Sequence, residues 1–168
     1  MGMNATVRRL SDDDLRRLLD EPELATAYLD GGETAEQFGA FVDLDLDEAW
    51  HAIHFLLTGS AWDGKPPLNF VATGGKELGE ARGYGPARAL NASHVRKLAV
   101  ALEKYPTALL MKRFDPAALT AADVYPGIWG RPVQEGDPRS YVAENYEALR
   151  QFVMGAAAAG QALIVSIG

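Results

Sequence analysis

The two ends of the chain constrain its fold more than any other feature. Met3–Leu10 mixes β-branched and polar residues, and Ala162–Ile167 closes the sequence as an apolar, β-prone run. The clearest signals between them are those of helices. Two strands alone cannot form a stable unit in water without further packing. They predict a small sheet uniting the N- and C-terminal segments, enclosed by helices. The expected fold is therefore a single compact α+β domain over residues 1–168, at least half helical.

The helix signals have identifiable causes. Ser11, with Asp14 three residues on, resembles a capping box and starts a helix anchored by Leu15, Leu18 and Leu19. Pro22 suits the first turn of a short helix carrying Leu24 and Tyr28, which Asp30-Gly31-Gly32 ends. Asp45 or Asp47 can cap a helix over Asp47–Leu57. Its apolar residues Trp50, Ile53, Phe55, Leu56 and Leu57 surround the axis, which places it centrally in the core. Asn91 or Ser93 caps a helix running to about Tyr105; Ala108–Phe114 continues as a helix, and Asp115-Pro116 opens another. Asp137-Pro138 supplies an N-cap and a first-turn proline to the longest helix, where Val142, Tyr146, Leu149 and Val153 form a one-sided stripe ended by Gly160. Tyr84–Leu90 is readable as a strand or an extended loop, Gly74-Gly75 as a turn needing positive φ, and Glu33–Val42 carries no clear signal.

Composition narrows the function classes. The 48% hydrophobic and 23% charged fractions belong to a globular chain, not a disordered one. The absence of cysteine removes disulfides, thiolate metal sites and cysteine nucleophiles together, and it fits a reducing compartment, the cytoplasm. The N-terminus lacks a secretory apolar stretch, and the apolar tail from Met154 is too short to span a bilayer. Met1-Gly2 with Thr6 matches the myristoylation pattern, and Asn4-Ala5-Thr6 and Asn91-Ala92-Ser93 match the glycosylation pattern. Patterns this short recur by chance.

The net charge of −7 is unevenly spread. Residues 10–50 hold thirteen acids against Arg16 and Arg17, a net of −11, which leaves the remainder at +4. This balance disfavours nucleic acid and anionic membrane as partners. A run of acids is ordinarily a solvated helix face; its sharper reading is a surface that docks a basic protein partner.

Motifs that would carry chemistry fail on inspection. Asp47, His51, His54 and Thr58 follow one another at spacings of four, three and four, so one helix face could present them together. Two histidines three apart are only a minimal metal pair, and neither cysteine nor a third nearby histidine completes it, so no metal site is expected. The simpler expectation is that His54 is buried and donates to a backbone carbonyl or to Asp47, while His51 is exposed. No Gly-x-Ser-x-Gly elbow exists, and Gly75-Lys76 lacks the glycine and the Ser/Thr of a phosphate loop. No cofactor is implied. Trp62, Tyr84, Tyr125 and Trp129 sit in segments rich in Gly and Pro, where aromatics either plug the edge of a core or line a recognition surface; plugging is favoured.

The stretch Leu44-Asp45-Leu46-Asp47-Glu48-Ala49-Trp50-His51-Ala52-Ile53-His54-Phe55-Leu56-Leu57-Thr58-Gly59 is similar to the signature of the YfbM-like family: an acidic turn, then Trp, a hydrophobe three residues on, His-Phe, and a Leu-Thr-Gly ending. Met1-Gly2-Met3, Pro67-Leu68 before Gly74-Gly75, Val124-Tyr125-Pro126 with Trp129, and the final helix and strand follow in the family's order. The resemblance covers nearly the whole chain, and His51 matches no position of the motif. It implies a compact bacterial α+β protein and no particular reaction.

The missing motifs favour a non-catalytic intracellular binding or regulatory protein with an acidic docking face. The alternative is a small-molecule enzyme in which His54 is general acid or base, Asp47 orients it, and Tyr125 and Trp129 border the cleft. Trp50, Thr58, Tyr84, Tyr125 and Trp129 are the candidate binding residues.

Overall fold

A computed structural model describes residues 2–168, apart from the side chain of Val133; Met1, with its part in the myristoylation pattern and the N-terminal match, lies outside the described residues. Strand β1 (Ala5–Ser11) leads into three helices, α1 (Asp12–Asp20), α2 (Glu23–Asp30) and α3 (Glu33–Glu36). Strand β2 (Val42–Asp45) and a single 3₁₀ turn over Asp47–Ala49 precede α4 (Trp50–Thr58). The hairpin of β3 (Lys76–Ala81) and β4 (Pro86–Leu90) follows, then α5 (Ala92–Glu103), α6 (Thr107–Leu110), α7 (Pro116–Ala121), α8 (Pro138–Ala158) and β5 (Gln161–Ile167). Helix makes up 49% of the chain, against the half or more that the sequence predicts.

The terminal strands do pair. β1 and β5 run antiparallel from Ala5 opposite Ile167 to Ser11 opposite Gln161, and they form the middle of the sheet. The sheet is larger than expected, with five antiparallel strands in the order β2-β1-β5-β4-β3. Its two edges are the strands with the weakest sequence signals. β2 reads Val-Asp-Leu-Asp and β3 reads Lys-Glu-Leu-Gly-Glu-Ala. Charged residues are tolerated on edges because one side of the strand has no neighbour, and they discourage pairing with other chains.

Period-two alternation divides the core into two layers. Ala5 and Val7 of β1, Leu163, Val165 and Ile167 of β5, and Leu90 of β4 face a large cluster built by α4, α5 and α8. Leu10, Ala162, Ile164, Ala87 and Ala89 face the opposite way, against Leu15, Leu18, Ala25 and Tyr28 of α1 and α2. The acidic N-terminal helices thus cover one face of the sheet. Arg8 fastens this layer: its guanidinium makes a paired contact with Asp43 of β2, 2.7 and 2.9 Å, and lies 3.7 Å from the ring centre of Phe41.

The expected caps are present. Ser11 accepts from the Asp14 N–H, Asn91 from the His94 N–H, Asp115 from the Ala117 N–H and Asp137 from the Arg139 N–H. At α4 the structure departs from expectation. Asp45 accepts from the Asp47 N–H at 2.7 Å just ahead of the 3₁₀ turn, but neither that turn nor α4 has a side-chain cap. The helix expected over Ala108–Phe114 is split into α6 and a 3₁₀ turn over Met111–Arg113.

Candidate functional site

α4 is buried almost all round, as its ring of apolar residues implies. Trp50 is fully enclosed, and its indole N–H donates to the Met3 carbonyl at 2.8 Å. His51 is enclosed too, with 1% of its surface exposed, which corrects the expectation that it faces solvent. Its Nε2 lies 2.7 Å from the Ala61 carbonyl, and its Nδ1 accepts from the Tyr125 N–H at 2.9 Å. One nitrogen must donate and the other accept, which defines the neutral tautomer with the proton on Nε2. Burial holds the His51 pKa below its ordinary value, although the Ala61 carbonyl acts the other way.

His54 has no exposed surface. Its Nε2 donates to the Asp63 carbonyl at 3.0 Å, and its Nδ1 is buried without a partner among the described residues. Burial brings its pKa down to about 4, partly opposed by the Asp63 carbonyl. The expectation of a carbonyl-bound core histidine describes this residue. The Thr58 hydroxyl sits 2.8 Å from the His54 carbonyl and 3.1 Å from that of Ser60, so it serves the end of α4.

The structure does not bring Asp47 to His54. Asp47 is exposed in a left-handed conformation, φ 50°, and its carboxylate accepts from the Tyr141 hydroxyl at 2.8 Å. The same Tyr141 oxygen accepts from the Glu48 N–H at 2.9 Å. Burial first, then the Asp47 carboxylate, push the Tyr141 pKa up. The i, i+4 and i, i+3 spacings that grouped Asp47 with the histidines assumed a continuous α-helix, and the 3₁₀ turn before Trp50 breaks that register. An acid–base pair of Asp47 and His54 therefore has no geometric support, and His54 offers no solvent-facing atom to a substrate.

What the fold does assemble is an aromatic cluster. Tyr125 stacks on Trp50 with ring centres 5.9 Å apart, and Tyr84 and Trp62 lie 6.0 and 6.2 Å from Trp50. Trp62 covers His51 at 4.3 Å and stacks on Tyr84 at 5.6 Å with 15° between ring planes. Trp62 and Tyr84 remain 43% and 46% exposed, so this pair faces solvent while Trp50 and His51 lie beneath it. The Tyr125 hydroxyl donates to Glu48 at 3.0 Å and accepts from the Met3 N–H at 2.8 Å, joining the cluster to the N-terminus. Trp129 is separate. It is 2% exposed, donates to the Val124 carbonyl at 2.7 Å and meets Phe114 edge-on, so it plugs the core. Trp50, Tyr84 and Tyr125 are thus brought together, while Asp47, Thr58 and Trp129 serve other contacts.

Two residues with structural weight escaped the sequence reading. Tyr141 lies on α8 beside the buried stripe and carries no signal for its bond to Asp47. Arg88, in β4, is buried at 9% exposure and donates to the carbonyls of Phe70, Val71 and Gly74. Burial brings its pKa down to about 10. Leu68–Ala72 is a chain of turns, and this clamp holds two of its carbonyls. Among the described residues, no group of three or more His, Asp or Glu side chains is placed to hold a metal ion, and no helix is long and apolar enough to cross a membrane.

These features define an α+β domain with an antiparallel sheet between helical layers and no exposed acid–base pair on its central helix. The family described as "Domain of unknown function (DUF1877)" matches residues 1–166, and the chain belongs to that family. Its fold is similar to the crystal structure of a protein of unknown function, YfbM, from Escherichia coli. The TM-score is 0.72 at 20% identity, over 98% of this chain and 99% of that one. A comparison with curated proteins finds no match.

Proposed function

We propose that the protein is a non-catalytic binding protein whose N-terminal helical layer docks a basic partner. The observation that carries this reading is the state of its acids. Asp20, Glu23, Glu33 and Glu36, on or next to α1–α3, are exposed and have no side-chain hydrogen bond or ion pair among the described residues. Others in the run already have partners: Asp12 accepts from the Ala92 N–H, Asp14 from the Gly39 N–H, and Asp43 and Asp30 pair with Arg8 and Arg82. Like charges left unpaired on one layer raise the local negative potential, which speeds and orients the encounter with a positive surface.

The test follows from this division. Affinity capture from a native lysate is run at low and high salt, with the parent chain and with Asp20→Asn, Glu23→Gln, Glu33→Gln and Glu36→Gln combined. A basic partner held at low salt, released at high salt and lost by the variant supports the reading. The same capture by both chains, or no partner together with reproducible small-molecule turnover, overturns it. The variant should melt with the parent, because exposed charges contribute little to stability.

A further inference from the structure

On the same side of the sheet edge as α1, the loop of residues 66–75 and the start of α5 enclose a cleft of 560 Å³. Its walls are apolar: Leu15 and Leu19 of α1, Pro67 and Phe70 of the loop, and Ala89 and Leu90 of β4. Binding clefts for small molecules run from roughly 300 to 1,000 Å³, mostly apolar with a few placed polar groups.

The charged groups lining this cleft are of one sign, beside the amides of Asn69 and Asn91. Lys76 and Lys97 are exposed lining residues, and neither has an ion-pair partner among the described residues. His94 also lines it, and among the described residues no carboxylate does. The Oδ1 of Asn91 is taken by the His94 N–H, which leaves its amide NH₂ as a donor. In a chain of net charge −7, two ammonium groups at an apolar cleft make a local positive potential that favours an anionic ligand.

The cleft is held in shape by the features around it. Arg88 clamps the carbonyls of Phe70, Val71 and Gly74, which fixes the loop wall. Gly75 has φ +98°, and a Cβ there would sit 2.9 Å from the Ala89 carbonyl oxygen, so the loop lies directly against β4. A site rigid before binding loses less entropy when a ligand enters.

We propose that this cleft binds a small amphipathic carboxylate, with its apolar chain between α1, the loop and β4 and its anionic head on Lys76 and Lys97. The apolar walls match the chain, and the two ammonium groups match an anionic head. The site is independent of the acidic layer proposed above to dock a basic partner, since its walls use the inner side chains of α1.

The test is calorimetric titration of the full chain with octanoate, octanol and octylamine. Octanoate should bind saturably at one site, and octylamine at least about tenfold more weakly. Lys76→Gln with Lys97→Gln should weaken octanoate by about tenfold or more while leaving octanol unchanged. Leu19→Trp, which fills the cleft, should abolish octanoate binding. Its melting curve shows whether it is folded, and the lysine variant decides the question if it is not. No saturable octanoate binding, equal binding of octanoate and octylamine, or octanoate binding that ignores the loss of both lysines overturns the proposal.

Discussion

The backbone N–H of Tyr125 donates to Nδ1 of His51 over 2.9 Å, across 74 positions of sequence, and so ties the loop after α7 to the central helix. The other ring nitrogen holds the Ala61 carbonyl. One neutral imidazole therefore anchors two loops that meet at the aromatic cluster. Replacing it with phenylalanine keeps the ring but strands a part-buried N–H and a part-buried carbonyl, at about 1 kcal/mol or more each. His51→Phe should lower Tm by about 5–10 °C in thermal denaturation followed by circular dichroism. A Tm equal to the parent's would show that neither hydrogen bond matters.

His54 should make stability depend on pH. Its folded-state pKa is about 4 against an ordinary 6.5, because burial disfavours the imidazolium. Between these values the unfolded chain binds a proton that the folded chain refuses, so stability is full above pH 6.5 and is lost as pH falls toward 4. From pH 7 to pH 5 the loss from His54 is about 2 kcal/mol. His51 acts in the same direction. Urea unfolding at the two pH values should show a smaller loss for His54→Gln than for the parent. Parallel losses in the two proteins would assign the pH dependence elsewhere.

Arg88 should be the most sensitive charged residue in the chain. Removing it leaves the carbonyls of Phe70, Val71 and Gly74 without their donor. Arg88→Met should cost about 1–3 kcal/mol for each buried carbonyl left without a donor. Arg88→Lys should not restore stability, because an ammonium lacks the planar fork that reaches three carbonyls. Chemical denaturation of both variants checks this, and a lysine variant as stable as the parent would refute the geometric argument.

The exposed stack of Trp62 on Tyr84 should carry a measurable coupling. A double-mutant cycle with Trp62→Ala and Tyr84→Ala should give about 0.5–1.5 kcal/mol, the usual worth of an aromatic pair beyond burial. A coupling indistinguishable from zero would mean that the rings only share a surface.

The sequence by itself determined the local signals and the overall architecture. Ser11, Asn91, Asp115 and Asp137 cap helices because a short polar side chain reaches an N–H two or three residues on, and nothing distant is needed. Apolar residues at both ends and around Trp50 required a terminal strand pair and a central helix, and the fold has both. Tertiary structure alone decided the rest. β2 and β3 are strands because β1 and β4 offer them backbone partners, not because their own residues favour it. His51 is buried because Trp62 and the Tyr125 loop close over it, and Arg88 is clamped because a loop folds back on its side chain. Trp62 and Trp129 come from loops of similar composition, yet one is exposed and the other enclosed. Burial is a sum over neighbours brought from elsewhere in the chain, and neither spacing nor residue type at one position records where those neighbours will be.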